Sequence, residues 1–180
     1  IARMRGLFAG RRIAGIGVAM PFDLWKWAEE VDAPDGALEG WKRLDVAAEL
    51  LAATGLPTYV ANDATAACGA ELAYKRRGSN IDMLYLFVGT FAGGGIVLNG
   101  ALHQGRTGNA GALGSMPVTL DGRRSQLIHH ASLFVLERQL IREGLDPALL
   151  QDPEADWSAI DPVLGRWIDR AAEAMAAAIV

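Results

Sequence analysis

The sequence predicts an α/β fold, and three observations carry that prediction. Two short apolar runs, RIAGIGVA at Arg12–Ala19 and PTYVA at Pro57–Ala61, have strand character and are separated by helical patterns. The second run passes through Asn62-Asp63 into an alanine-rich helical stretch, Ala64–Arg77. Finally, the apolar runs Met83–Val88 and Ile96–Leu98 flank Gly89-Thr90-Phe91-Ala92-Gly93-Gly94-Gly95, the pattern of a β-hairpin with a glycine-rich turn.

Taken in order, Arg12–Ala19 reads as a buried strand ended by Met20-Pro21. Phe22–Trp41 is loop-like with some helical character. Its tryptophans, Trp25, Trp27 and Trp41, suit either hydrophobic anchoring or stacking on a sugar face. Asp45–Thr54 is a helix with Asp45 as N-cap and Gly55 just past its end. Asp63 sits where strand meets helix. It can be an N-cap, or a carboxylate at the carboxyl end of a strand, where α/β folds bind ligands. Ala66, Ala67, Ala70 and Ala73 give the helix that follows a small-residue face, and Gly78 stops it.

Four glycines in seven residues cost backbone entropy, so the 89–95 turn calls for positive φ or for close approach to another group. Its amides, with the Thr90 hydroxyl, form a concavity suited to phosphate; a tight hairpin with a bulge and no ligand is the other reading. Beyond a glycine-rich segment, Met116-Pro117-Val118 begins a short strand. Ser125–Glu143 has the periodicity of one strong helix, with Leu127, Ile128, Ala131, Phe134, Val135, Leu136 and Leu140 inward and Gly144 at its end. His129 and His130 are adjacent on it and diverge by about 100°, which disfavours a shared metal. Pro147–Gln151 is a helical turn. Asp161-Pro162 opens the last helix, whose apolar face is Val163, Leu164, Trp167, Ile168, Ala171, Met175 and Ala178.

Composition narrows the function. Half of the 180 residues are apolar, enough for a core. The single cysteine, Cys68, excludes an intrachain disulfide and a cysteine-based zinc site. A net charge of −4 argues against nucleic-acid binding by these residues. The short clusters Arg11-Arg12, Lys75-Arg76-Arg77 and Arg123-Arg124 read as solvated faces or helix ends. No apolar run is long enough for a membrane span and no signal-peptide core is seen, so a cytoplasmic location is expected. The start without methionine and the end inside a helical pattern suggest the middle of a longer protein.

The segments GIGVAMP, VANDATAACGAE, LYLFVGTFAGGGIVLNGAL and GRTGNAGALGSMPV, in this order, resemble the ROK family of repressors, open reading frames and sugar kinases. With QLIHHASLFVLERQL, the chain looks most like the transcriptional regulators of that family. The resemblance implies a two-lobed actin-like, hexokinase-like ATPase (ribonuclease H-like) fold, here partial, with residues 1–81 in the first lobe and 82–180 in the second. It implies that Asp63 is the general base on a sugar hydroxyl and that Asn62 contacts the sugar. It places Gly89, Thr90, Gly93, Gly94 and Gly95 on nucleotide phosphates, with ATP and Mg²⁺ as cofactors if the protein is a kinase.

Against the kinase pattern, Phe91 replaces a turn glycine, and Glu-X-Gly-His reads Ala112-Leu113-Gly114-Ser115. A further sugar-binding glutamate aligns with Ile128, and the cysteine-rich zinc motif is missing, so zinc is not expected. Loss of such partners lowers affinity for hydroxyls. The expectation is the effector-binding domain of a regulator, taking a sugar or sugar-like ligand. DNA contact would come only through a helix-turn-helix domain preceding Ile1, with no membrane role and a homodimer through the second lobe. An ATP-dependent sugar kinase and a non-catalytic oligomerisation module are the alternatives.

Overall fold

The fold is taken from a computed structural model, which describes residues 6, 10–29, 33–74, 81–152 and 154–179. The chain divides into two compact units, Ile1–Ala66 and Ala67–Val180.

In the first unit, β1 (Ile16–Met20) and β2 (Thr58–Asn62) pair in parallel, with Ile16 opposite Thr58 and Met20 opposite Asn62. A parallel pair needs a crossover, and α1 (Val46–Thr54) supplies it. That helix is bounded as its sequence predicts. Asp45 accepts a hydrogen bond from the Ala48 amide at 3.0 Å, and Gly55 takes the left-handed cap at φ 70°. Trp25, Trp27 and Trp41 are half-buried in two short 3₁₀ turns, Leu24–Trp27 and Glu39–Arg43.

α2 (Asp63–Tyr74) follows β2 without a break. Its buried side is Ala64, Thr65 and Cys68, not the predicted small-residue face, since Ala70 and Ala73 are exposed. Residues i, i+1 and i+4 share one side of a helix, and the helix has turned that side inward. The predicted end at Lys75-Arg76-Arg77 and Gly78 lies outside the described residues.

The second unit opens with a three-stranded antiparallel sheet of β3 (Met83–Val88), β4 (Ala92–Leu98) and β5 (Ala101–His103) in that order. The β4–β5 link is Asn99-Gly100, with φ of 54° and 73°, the geometry a two-residue hairpin demands. Asp121-Gly122, at 51° and 71°, joins β6 (Pro117–Leu120) to β7 (Arg123–Gln126) in the same way.

The predicted single helix Ser125–Glu143 is instead the end of β7, a four-residue helix α3 (Ile128–Ala131) and α4 (Leu133–Arg142). They are separated at Ser132, which is extended at φ −90° and ψ 146°. The inward residues were nonetheless legible. Leu127, Ile128, Ala131, Phe134, Leu136 and Leu140 are all buried, since a short strand and two short helices can bury them as well as one long helix. Gly144 ends α4 at φ 73°, and the Leu145 amide closes back on the Leu140 carbonyl at 2.9 Å.

The last helix, α5 (Asp161–Ile179), buries Val163, Trp167, Ala171 and Ala174. Ile168, expected on that face, is 49% exposed. The spacing 163, 167, 171, 174 is one tight stripe, and Ile168 falls just off it.

The glycine-rich stretch is also redistributed. Only Gly89, Thr90 and Phe91 form the turn; Gly93, Gly94 and Gly95 lie in β4, opposite Phe87, Leu86 and Tyr85. None of these glycines has positive φ, and at Gly94 close approach is the reason, since a Cβ there would meet the Tyr85 carbonyl oxygen and the Leu113 side chain. The loop at 111–114 lies directly on β4. A Cβ on Gly111 would collide with the Gly94 carbonyl oxygen, and one on Gly114 with the Ala92 carbonyl oxygen. Backbone can approach backbone this closely only without side chains.

Gly111→Ala is therefore expected to lower the unfolding free energy by about 2 kcal/mol or more. Gly17→Ala, where nothing lies within 4 Å of the new atom, should be neutral or slightly stabilising. Urea denaturation of both variants checks the pair.

Candidate functional site

Asn62 and Asp63 fall at the carboxyl end of β2, and the local chain explains their posture. A helix starts with unpaired amides. The Asn62 Oδ1 accepts from the Thr65 amide at 3.1 Å, and the Asp63 Oδ1 accepts from the Ala64 amide at 2.9 Å. Asn62 is thus the N-cap and Asp63 the first helical residue, which corrects the N-cap reading of Asp63. Among the described residues, Asn62 Nδ2 and Asp63 Oδ2 make no hydrogen bond. Asn62 Nδ2 is a donor and Asp63 Oδ2 an acceptor, the two kinds of partner that a hydroxyl can take, since it both gives and accepts a hydrogen bond.

Gly89, Thr90 and Phe91 form the tip between β3 and β4 in the second unit. The tip is held from behind by the start of α4. The Leu133 amide donates to the Gly89 carbonyl at 2.9 Å and the Phe134 amide to the Thr90 carbonyl at 3.3 Å. The Ala92 amide donates to Ser132 Oγ at 2.7 Å, and Ser132 is fully buried. Phe91 stands edge-on to Phe134, ring centroids 5.5 Å apart, and the Arg138 guanidinium lies 5.4 Å from the centre of the Phe134 ring. The predicted phosphate residues thus separate into two groups: Gly89 and Thr90 at the tip, and Gly93, Gly94 and Gly95 inside a strand.

Ala112, Leu113, Gly114 and Ser115 lie against β4. Leu113 and Gly114 are buried, while Ser115 is exposed and turns its hydroxyl to the Ala112 carbonyl at 2.9 Å. Ile128 is 2% exposed, and its Cβ is 3.6 Å from the place a Gly114 side chain would begin. Positions 114 and 128, distant in sequence, are therefore neighbours, and their contact is apolar. No group of histidine, cysteine, aspartate and glutamate among the described residues is arranged to hold a metal ion. An alanine, a serine and an isoleucine are not zinc ligands.

Ser132, whose hydroxyl holds the start of β4, is not singled out by the sequence pattern. Its signal was present, because a serine immediately before LFVLERQL is an N-cap pattern. The helical periodicity continued through it and concealed the break.

His130 hydrogen-bonds Ser125 through Nε2 at 2.6 Å, joining α3 to β7. Burial, followed by the positive charges of Arg170 and His129, holds its pKa below the ordinary value of 6.5. The folded state thus prefers neutral His130.

The sequence model of the ROK family matches residues 8–128. N-acetylmannosamine kinase of Vibrio cholerae serotype O1 (strain ATCC 39541) is 39% identical over 69 residues, 38% of this chain and 24% of that protein. The xylose repressor of Bacillus subtilis (strain 168) is 22% identical over 132 residues, 72% of this chain and 34% of that protein. The ROK hexokinase from Thermus thermophilus superposes with a TM-score of 0.58 at 28% identity, over 95% of this chain and 57% of that one. The chain thus spans between about a quarter and a third of the length of these two curated relatives. The architecture is part of the actin-like ATPase fold. The chain belongs to the ROK family, which includes both repressors and sugar kinases.

Because the folded-state pKa of His130 is lowered, its contribution to stability is complete above the unfolded-state value and is lost as pH falls through it. Between about pH 7.5 and about pH 5.5, the urea midpoint should fall further in the unmodified protein than in His130→Gln. Parallel midpoints in the two proteins would contradict this.

Proposed function

We propose that this domain binds a sugar or sugar-like effector within a ROK-type transcriptional regulator and does not transfer phosphate. The observation that carries the reading is the character of positions 112, 115 and 128. Where kinase members of the family carry two glutamates and a histidine, this chain has Ala112, Ser115 and Ile128, and Ile128 is 2% exposed inside the core. A site built on hydrogen bonds to hydroxyls loses discrimination and affinity when those partners are replaced by apolar groups. Phe91 supports the same reading, since it fills the turn that kinase members leave open with glycine, and its ring packs on Phe134.

In this reading Asn62 and Asp63 contact a sugar hydroxyl through Nδ2 and Oδ2. The ligand shifts the domain between two states, which another domain of the same protein reads out as a change in DNA affinity. The location is cytoplasmic and the working unit a homodimer; among the described residues no helix is long and apolar enough to cross a membrane. Kinase chemistry is the second reading, favoured by the half-buried carboxylate of Asp63 at the start of α2 and by kinase relatives. There Asp63 would take the proton from the attacking hydroxyl, and Gly89, Thr90 and the β4 glycines Gly93, Gly94 and Gly95 would lie toward the phosphates of Mg-ATP.

Calorimetric titration of the protein with hexoses and N-acetylhexosamines should find one that binds, and Asp63→Asn should weaken it by about tenfold or more. A coupled assay with Mg-ATP and the same sugars should show no turnover. Sustained phosphorylation that disappears in Asp63→Asn would replace the regulator reading with the kinase one.

A further inference from the structure

Three hydrogen bonds tie the tip of the β3–β4 hairpin to the corner between α3 and α4, and they run in both directions. Helix amides at Leu133 and Phe134 donate to turn carbonyls, while the amide of Ala92, the first residue of β4, donates to the Ser132 hydroxyl. The first amides of a helix normally go to a cap or to water. Here Ser132 occupies the N-cap position, yet its side chain makes no cap bond to its own helix. It reaches instead to a strand residue 40 positions earlier in the chain.

The arrangement fixes which way the turn faces. Across a trans peptide the C=O and the next N–H point in opposite directions, and no described peptide bond is cis. With the Gly89 and Thr90 carbonyls turned toward α4, the N–H groups of Thr90 and Phe91 are turned away from it. Rotation of either peptide plane would break a helix-terminal hydrogen bond and turn an N–H toward the helix N-terminus, whose partial positive charge favours the carbonyl that faces it in this structure.

We propose that Ser132 is a positioning residue for this turn: through the Ala92 amide it locks the Gly89–Phe91 tip and the α3–α4 corner into one moving unit with the Thr90 and Phe91 amides facing outward. This deepens the effector-binding reading and rests on it only for what those amides meet. The lock itself is measured with no ligand present, so its failure and the failure of the effector reading are separable.

Residue-resolved amide hydrogen exchange on the protein is the test. In the unmodified protein the Ala92, Leu133 and Phe134 amides should exchange as a group, with closely similar protection. In Ser132→Ala, exchange at Ala92, Leu133 and Phe134 should rise by about tenfold or more, while Val97 and Leu140 change by less than about twofold. Ser132→Cys, close in size and a weaker acceptor, should fall between. Ala131→Gly, next door and equally buried, removes packing without touching the hydroxyl and should leave the three amides no faster relative to Leu140. The proposal is overturned if the three amides exchange independently in the unmodified protein. It is also overturned if Ser132→Ala leaves them unchanged or loosens Leu140 equally, or if Ala131→Gly reproduces the local effect.

Discussion

The second unit depends on backbone lying against backbone along β4. The 111–114 loop can rest on that strand because Gly111 and Gly114 present no side chain to the carbonyls of Gly94 and Ala92. From this contact the rest of the core follows. Leu113 is delivered into it, Ile128 closes over Gly114, and Leu127, Leu136, Leu140, Val163 and Trp167 complete the apolar interior. Close packing makes such a contact intolerant of a single extra carbon. Gly94, Gly111 and Gly114 are thus explained first by packing, and a ligand role at any of them is additional to that.

What the sequence made legible divides along physical lines. Local signals were read correctly wherever the physics was local: the Asp45 cap, Gly55 and Gly144 past helix ends, Pro21 after β1, and the hairpin between Met83 and Leu98. Where a distant partner decided the outcome, pattern failed. Ser132 breaks a perfectly periodic apolar run because its hydroxyl is claimed by Ala92. The β7 strand was absorbed into that false helix although Asp121-Gly122 announced a turn in front of it. Asp63 stands out at the strand-to-helix junction and Asn62 only through the family resemblance, and their division of labour at the helix start depends on which oxygen meets which amide.

Family membership explains why two functions compete for one scaffold. One fold can serve chemistry or sensing, and individual side chains decide between them. In this chain Asn62 and Asp63 each accept a backbone amide at the start of α2, whereas the contact between positions 114 and 128 is apolar. Sensing asks only that a ligand bind one state better than another. Phosphotransfer asks in addition for charge stabilisation and alignment of the reacting groups.

The split at Ser132 also bears on the order in which the chain assembles. Helices of four and ten residues are too short to persist alone in water. The first amides of α4 are received by carbonyls of the hairpin, and closing a 40-residue loop carries an entropic cost before that reward arrives. The β3–β4 ribbon, built from contacts near in sequence, is therefore the template, and the helical half of the unit condenses onto it.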